Sequence, residues 1–312
     1  MTKIHDEQLN TVSQAAAKTL KTFRFMDIPN FIPISDKLIL KMRRQFQAGE
    51  DKVEMGIITN HHLKIQDVKF NGVSGKLVSS PTTDFTKGVI FNVHGGGFVM
   101  GTARERNVLL AAAETSLPVY SVAYTLAPEA GSKVALDEVS RFYQGLLEEI
   151  GQRKLFGMGS SAGASIITAV IFRAHQQRLR LPDGMLLFAP ALDISGNGDS
   201  AVFNNRRDVM SAHLALRMAQ KYIQDTDPKS PMISPIYGAI GSWFPPTFMS
   251  SGTRDIMLSN VLRFAEKLGV AGVPYQYVIK EGMWHGFHWE ENLPEAISSR
   301  KQAWQFLNQL NE

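Results

Sequence analysis

The ten residues Leu155-Phe156-Gly157-Met158-Gly159-Ser160-Ser161-Ala162-Gly163-Ala164 carry three local signals in a row. An apolar run ends at Met158, small residues follow, and helix-forming sequence then runs from Ala164 to Arg173. Gly159 and Gly163 stand two residues either side of Ser161, the G-x-S-x-G spacing of a nucleophile elbow. That chemistry needs those residue types: the glycines let neighbouring backbone approach closely, and the serine sits on a sharp strand-to-helix turn with its hydroxyl projected. The competing reading is a serine that simply caps a helix.

Outward from this stretch, short apolar runs at 89–93, 119–124, 155–158, 185–188, 247–250 and 275–279 alternate with helical patterns at 103–116, 133–150, 162–180, 257–271 and 294–310. Strand, helix, strand in that rhythm means crossover connections and a parallel sheet. Two further runs, 63–70 and 73–79, flank Asn71-Gly72, a dipeptide suited to a tight hairpin, so the sheet is expected to start antiparallel. Residues 1–50 read as an amphipathic helical arm, with Leu9, Val12, Ala16 and Leu20, then Leu38, Met42 and Phe46, at helical spacing around an interruption at Pro29 and Pro33. The rhythm breaks between Asp193 and Pro246, where a helical pattern near 209–222 sits in a long insertion of the kind that forms a lid or binding region.

The chain of 312 residues is 44% hydrophobic and 20% charged, which suits a globular α/β protein and excludes disorder and coiled coil. A net charge of +4 is too weak to point to nucleic acid or an anionic membrane. With no cysteine, disulfides, cysteine-ligated zinc, iron–sulfur clusters and thiol nucleophiles are excluded together. No apolar run reaches the roughly 18 residues that span a bilayer, and the first twenty residues lack the layout of a signal peptide, so a cytoplasmic protein is expected.

A serine hydroxyl is a weak nucleophile at neutral pH and needs a base, and the base needs an acid to orient it. His285 lies in a glycine-marked loop, 281–287, just after the 275–279 strand. His288 is its rival, read as packing or capping, while His5, His61, His62, His175 and His213 lie outside such a loop. The order serine, acid, histidine confines the acid to 161–285. Asp255 follows the 247–250 strand and is preferred over Asp193, which opens the insertion; Asp199, Asp208, Asp225 and Asp227 read as solvated. Acyl transfer also needs N–H donors for the developing oxyanion. His94-Gly95-Gly96-Gly97-Phe98 exposes such groups directly after the 89–93 strand, and no phosphate-binding motif accompanies those glycines.

With both motifs together the sequence resembles the α/β-hydrolase fold, a mostly parallel sheet with helices on both faces and a helical cap, and within it the hormone-sensitive-lipase-like esterases. The stretch 124–129, Tyr-Thr-Leu-Ala-Pro-Glu, and Ser234-Pro235-Ile236-Tyr237 with Pro245-Pro246 agree with that family, and the likeness covers roughly 60–310. It implies Ser161 as nucleophile, His285 as base and Asp255 as orienting acid. The oxyanion donors would be the N–H groups of Gly96, Gly97 and Ala162, with His94 and Gly95 supporting the loop. It also implies a cap made of the arm, 1–50, and an insertion at about 195–230, on a catalytic domain spanning 51–312. The implied activity is a serine carboxylesterase acting on small to medium acyl esters, lactones included, through an acyl-enzyme and without metal or organic cofactor. A ligand-binding protein on the same fold and a serine peptidase or amidase are the alternatives. A homo-oligomer is compatible with all three. The chain departs from the family at Ser160, where aspartate is usual, at Ala164 for glycine and at Thr125 for arginine, and Ser259 occupies a position that is often acidic. Phe23, Phe25, Met26, Phe31, Met210, Met218 and Trp243 are candidate walls of an apolar pocket.

Overall fold

Strand β3 (Val89–Val93) is buried along its whole length, as the continuous apolar run of a parallel strand covered on both faces requires. A computed structural model describes Ile4 and residues 6–22 and 25–310, leaving His5 and Phe23 outside the described residues. Around β3 an eight-stranded sheet assembles from β1 (Lys64–Phe70), β2 (Val73–Ser79), β4 (Val119–Val122), β5 (Leu155–Ser160), β6 (Gly184–Phe188), β7 (Thr247–Gly252) and β8 (Tyr275–Lys280). Their order is β1-β2-β4-β3-β5-β6-β7-β8. The strand β2 pairs antiparallel with both β1 and β4, and every later pairing is parallel. Asn71 and Gly72 both take positive φ, 44° and 82°, the backbone a two-residue hairpin favours.

The crossover helices divide between the two faces. Helices α5 (Ser132–Ile150), α6 (Ala162–Gln176) and α9 (Leu258–Val270) bury their apolar sides in the larger core. Helices α4 (Arg106–Thr115) and α10 (Pro294–Gln309) pack on the opposite face with Ile57. That isoleucine belongs to α3 (Asp36–Asn60), which Ser35 starts by accepting the Leu38 N–H at 3.2 Å. The helix runs straight through position 50, where the sequence reading ended the arm, because no breaker stronger than Gly49 and Gly56 interrupts it. The remaining helices of the arm are α1 (Asp6–Leu9) and α2 (Gln14–Thr22), and the insertion carries α7 (Asp199–Phe203) and α8 (Ala212–Ile223).

Arm and insertion are joined to each other. Met26 and Met210 form a parallel bridge, Arg217 donates to the Ile28 carbonyl at 3.0 Å, and Lys221 pairs with Asp36 at 2.7 Å. Arg43 ties α3 to the sheet domain by donating to the Val99 and Ala127 carbonyls and to both oxygens of Glu129. Among the described residues no helix is long and apolar enough to cross a membrane.

Candidate active site

Ser161 sits between β5 and α6 with φ +50° and ψ −117°. A non-glycine residue there is strained, at a cost of order 1–3 kcal/mol, and the surroundings enforce it. A Cβ on Gly163 would come within 2.0 Å of the Val93 carbonyl oxygen, so only glycine lets the first turn of α6 approach β3 this closely. The Ser161 side chain makes no cap to α6, which removes the capping alternative.

Its hydroxyl instead meets His285, with Oγ 2.8 Å from Nε2. On the other side of the ring, Nδ1 lies 2.9 Å from Asp255 Oδ1. The carboxylate can only accept, so Nδ1 carries the hydrogen and Nε2 is left to accept the serine proton. Asp255 is fully buried, and it is held in place by the Met257 N–H on Oδ1 and by Ser251 Oγ on Oδ2, both at 2.8 Å. Burial pulls the His285 pKa down, but the charge and hydrogen bond of Asp255, with the charge of Asp208, raise it overall above the ordinary imidazole value.

Asp208 is the group that sequence reasoning missed. It was expected to be solvated, yet it is fully buried beside the triad. Its Oδ1 accepts the N–H groups of His285 and Val209, and its Oδ2 accepts the N–H of Ile256, each at 2.7 Å. Burial and the charge of Asp255 push its carboxyl up to about 7. Asp208, Asp255 and His285 bring ligand-capable atoms within 4.8 Å of one another. Those atoms are organised by the hydrogen bonds just described rather than around an open coordination position.

The other candidates separate cleanly. Asp193 is buried but turns to Arg263 at 2.7 Å and to Tyr237 at 3.0 Å. Asp199, Asp225 and Asp227 are exposed, as expected. His288 is fully buried and stacks on Phe188, so it packs, and burial holds its pKa well below the ordinary value. His94 lies behind the glycine loop: its Nδ1 donates to the Gly95 carbonyl at 2.9 Å, its ring stacks on Tyr124, and burial pushes its pKa down to about 4, so it is neutral. Thr125, where the resemblance leads to arginine, instead donates through both N–H and hydroxyl to Glu138. Ser259 exchanges two hydrogen bonds with Ser200, locking α7 to α9.

Gly96, Gly97, Ser161, Ala162 and His285 share a cavity of about 180 Å³. Phe46 and Met26 from the arm close it on one side, and Met210 and Met218 from the insertion on the other. Phe31 is exposed and Trp243 stacks on His175, so neither forms a wall. A serine at an elbow, an oriented imidazole and a glycine loop surround one apolar cavity, and residues 90–289, which span most of these elements, fit the family model described as the alpha/beta hydrolase fold. The chain belongs to this family. The hydrolase is similar to an esterase of Acinetobacter venetianus strain RAG-1, 30% identical over 258 residues that cover 81% of this chain and 84% of the relative. It is also similar to the Homo sapiens hormone-sensitive lipase, 36% identical over 114 residues that cover 34% of this chain and 10% of that one. A crystal structure of an esterase superposes with a TM-score of 0.89 at 25% identity, covering 99% of the hydrolase and 98% of the other chain.

Proposed function

We propose that this carboxylic ester hydrolase turns over small to medium acyl esters, cyclic esters included, through an acyl-enzyme on Ser161. The reading is carried by the unbroken line from Asp255 through His285 to Ser161 Oγ, at 2.9 and 2.8 Å, ending in the apolar cavity. His285 Nε2 takes the serine proton as Oγ attacks the ester carbonyl carbon. The developing oxyanion faces the N–H groups of Gly96, Gly97 and Ala162, each donor of this kind contributing roughly 3 kcal/mol to lowering the barrier. The imidazolium, stabilised by Asp255, then gives its proton to the leaving alkoxide, and the acyl group stays on Ser161. In the second half a water loses its proton to His285 as it attacks the acyl carbon, and the imidazolium returns that proton to Ser161 Oγ as the acyl–oxygen bond breaks and the acid leaves.

The base positioned on the serine counts against a ligand-binding protein, and no observation favours an amide over an ester. The enzyme is proposed to act in the cytoplasm, which cell fractionation checks. The activity is tested with p-nitrophenyl esters of increasing acyl length, run beside a fluorophosphonate probe. Ser161→Ala is expected to abolish turnover and labelling while the circular-dichroism melt stays close to that of the parent. Labelling that persists in a folded Ser161→Ala protein would place the nucleophile elsewhere.

A further inference from the structure

Glu105, at the N-cap position of α4, is a buried carboxylate that the chemistry above leaves unused. Its side chain does not cap its own helix. Instead Oε2 accepts the Gly95 N–H at 3.0 Å and the Ser160 hydroxyl at 3.3 Å, and Oε1 accepts from Asn92 Nδ2 at 3.3 Å. Gly95 immediately precedes Gly96 and Gly97, and Ser160 immediately precedes Ser161. One carboxylate oxygen therefore joins the residue ahead of the oxyanion donors to the residue ahead of the nucleophile. The two backbones touch at this point, since a Cβ on Gly95 would come within 2.8 Å of Ser160 Oγ and 2.9 Å of the Ser160 carbonyl oxygen.

We propose that Glu105 is a positioning residue that sets the distance between Ser161 and the Gly96 and Gly97 donors, supplying from α4 the carboxylate that the family resemblance leads one to expect at position 160. The inference rests on Ser161 and the glycine loop acting as assigned above. Three consecutive glycines have no side chains with which to hold their own geometry, yet an oxyanion site works only when its donors are kept within about 0.5 Å of the productive position. Glu105 gives the loop a fixed anchor by accepting from the Gly95 N–H and the Ser160 hydroxyl at once, and where its carboxyl is ionised those hydrogen bonds are of the stronger kind.

The surrounding charges agree with a dedicated role. Arg104 is engaged by Asp51 and Glu54, and Arg106 by Glu50 and Glu290, so both neighbouring cations point to other acids. The hydrogen-bond donors to Glu105 are neutral. Burial pushes its carboxyl up to about 7 against the hydrogen bonds from Gly95, Asn92 and Ser160, with Glu54 adding to the rise. A site that only needed filling would be better served by an apolar side chain, because an acid buried without a cation carries a desolvation cost.

Glu105→Ser removes the anchor, and Glu105→Ser combined with Ser160→Asp moves a carboxylate to the other side of the same contact. Both are measured on p-nitrophenyl butyrate for kcat and KM, with a thermal melt and with Ser161→Ala in parallel. Glu105→Ser is expected to lower kcat at least about 30-fold with KM within about twofold, as loss of oxyanion geometry requires, and the double variant to recover to within about fivefold of the parent. A folded Glu105→Ser protein with kcat within about threefold of the parent overturns the proposal, by the same measure of an oxyanion contribution. So does a folded double variant that is no faster than Glu105→Ser. If Glu105→Ser does not fold, the double variant decides alone: folded and active supports the proposal, and anything else overturns it. Turnover surviving in Ser161→Ala would overturn the assignment of the nucleophile and this inference with it, whereas a silent Ser161→Ala beside an unimpaired Glu105→Ser overturns the inference alone.

Discussion

Three side chains from three separate loops meet at His285, and each contributes something the others cannot replace. Asp255 fixes the imidazole with hydrogen on Nδ1, and that leaves Nε2 as the acceptor facing Ser161. Asp255→Asn presents either an amide N–H or a carbonyl to Nδ1 and loses the charge that stabilises the imidazolium, so kcat is expected to fall by roughly 10⁴. Asp193→Asn breaks a pair with Arg263 and leaves the relay intact. It is expected to lower the melting temperature more than it lowers kcat, and the reverse ranking of the two variants would reassign the acid. Because only the neutral imidazole can take the serine proton, kcat/KM should rise with pH through a limb lying above the ordinary imidazole value, the direction in which Asp255 and Asp208 move His285. His285→Gln should be silent at every pH. His288 is buried and stacked on Phe188, and burial pushes its pKa well below the ordinary imidazole value, so His288→Gln should keep the limb even where the lost stacking lowers stability.

Strands and their loops position those side chains, and here the sequence was uneven in what it disclosed. The strand expectations fall within two residues of the observed ends because strands buried on both faces, such as Val89–Val93 and Gly184–Phe188, read as unbroken apolar runs between turn residues. The triad partners were legible because each follows a strand at the end of the sheet where Ser161 emerges. Asp208 and Glu105 were not legible: an acid in a polar stretch looks solvated, and only tertiary packing of loops distant in sequence buries it. The segment carrying Asp208 lies between α7 and α8, yet it holds both the His285 loop and the start of the loop after Asp255 through backbone N–H groups. Asp208→Asn must set an amide N–H against one of those backbone donors, because both oxygens of the carboxylate accept backbone N–H groups. The misplacement is expected to lower kcat by roughly 10- to 100-fold. Removing a negative charge near the ring should also move the pH limb downward, since Asp208 helps hold the proton on His285. A variant that loses rate with an unmoved limb would leave Asp208 as a structural tie only.

At the scale of the whole molecule, under the proposed function, the sheet domain supplies the reacting groups and the arm and the insertion decide what can reach them. The arm and the insertion meet at the Met26 and Met210 bridge, and the cavity they help to line holds about 180 Å³, below the roughly 300–1,000 Å³ usual for ligand pockets. Its walls are mostly apolar, so an alkyl chain is favoured by burial at about 0.8 kcal/mol per methylene until the space runs out, after which each further carbon must displace a wall. In the p-nitrophenyl series kcat/KM is therefore expected to peak at short acyl chains and fall for long ones, with no jump in rate at an emulsion interface. Met218 is the side chain best placed to set that limit. It is buried on α8, lines the cavity, and its Cε lies 2.7 Å from where a Cβ on Gly97 would stand. Met218→Ala should shift the optimum toward longer chains. Because truncating a buried methionine costs about 2–5 kcal/mol of stability, the decisive quantity is the ratio of kcat/KM between octanoyl and butyryl esters, measured well below the melting temperature. That ratio cancels any loss of folded enzyme, so a ratio unchanged from the parent would mean that the acyl chain lies elsewhere than against α8.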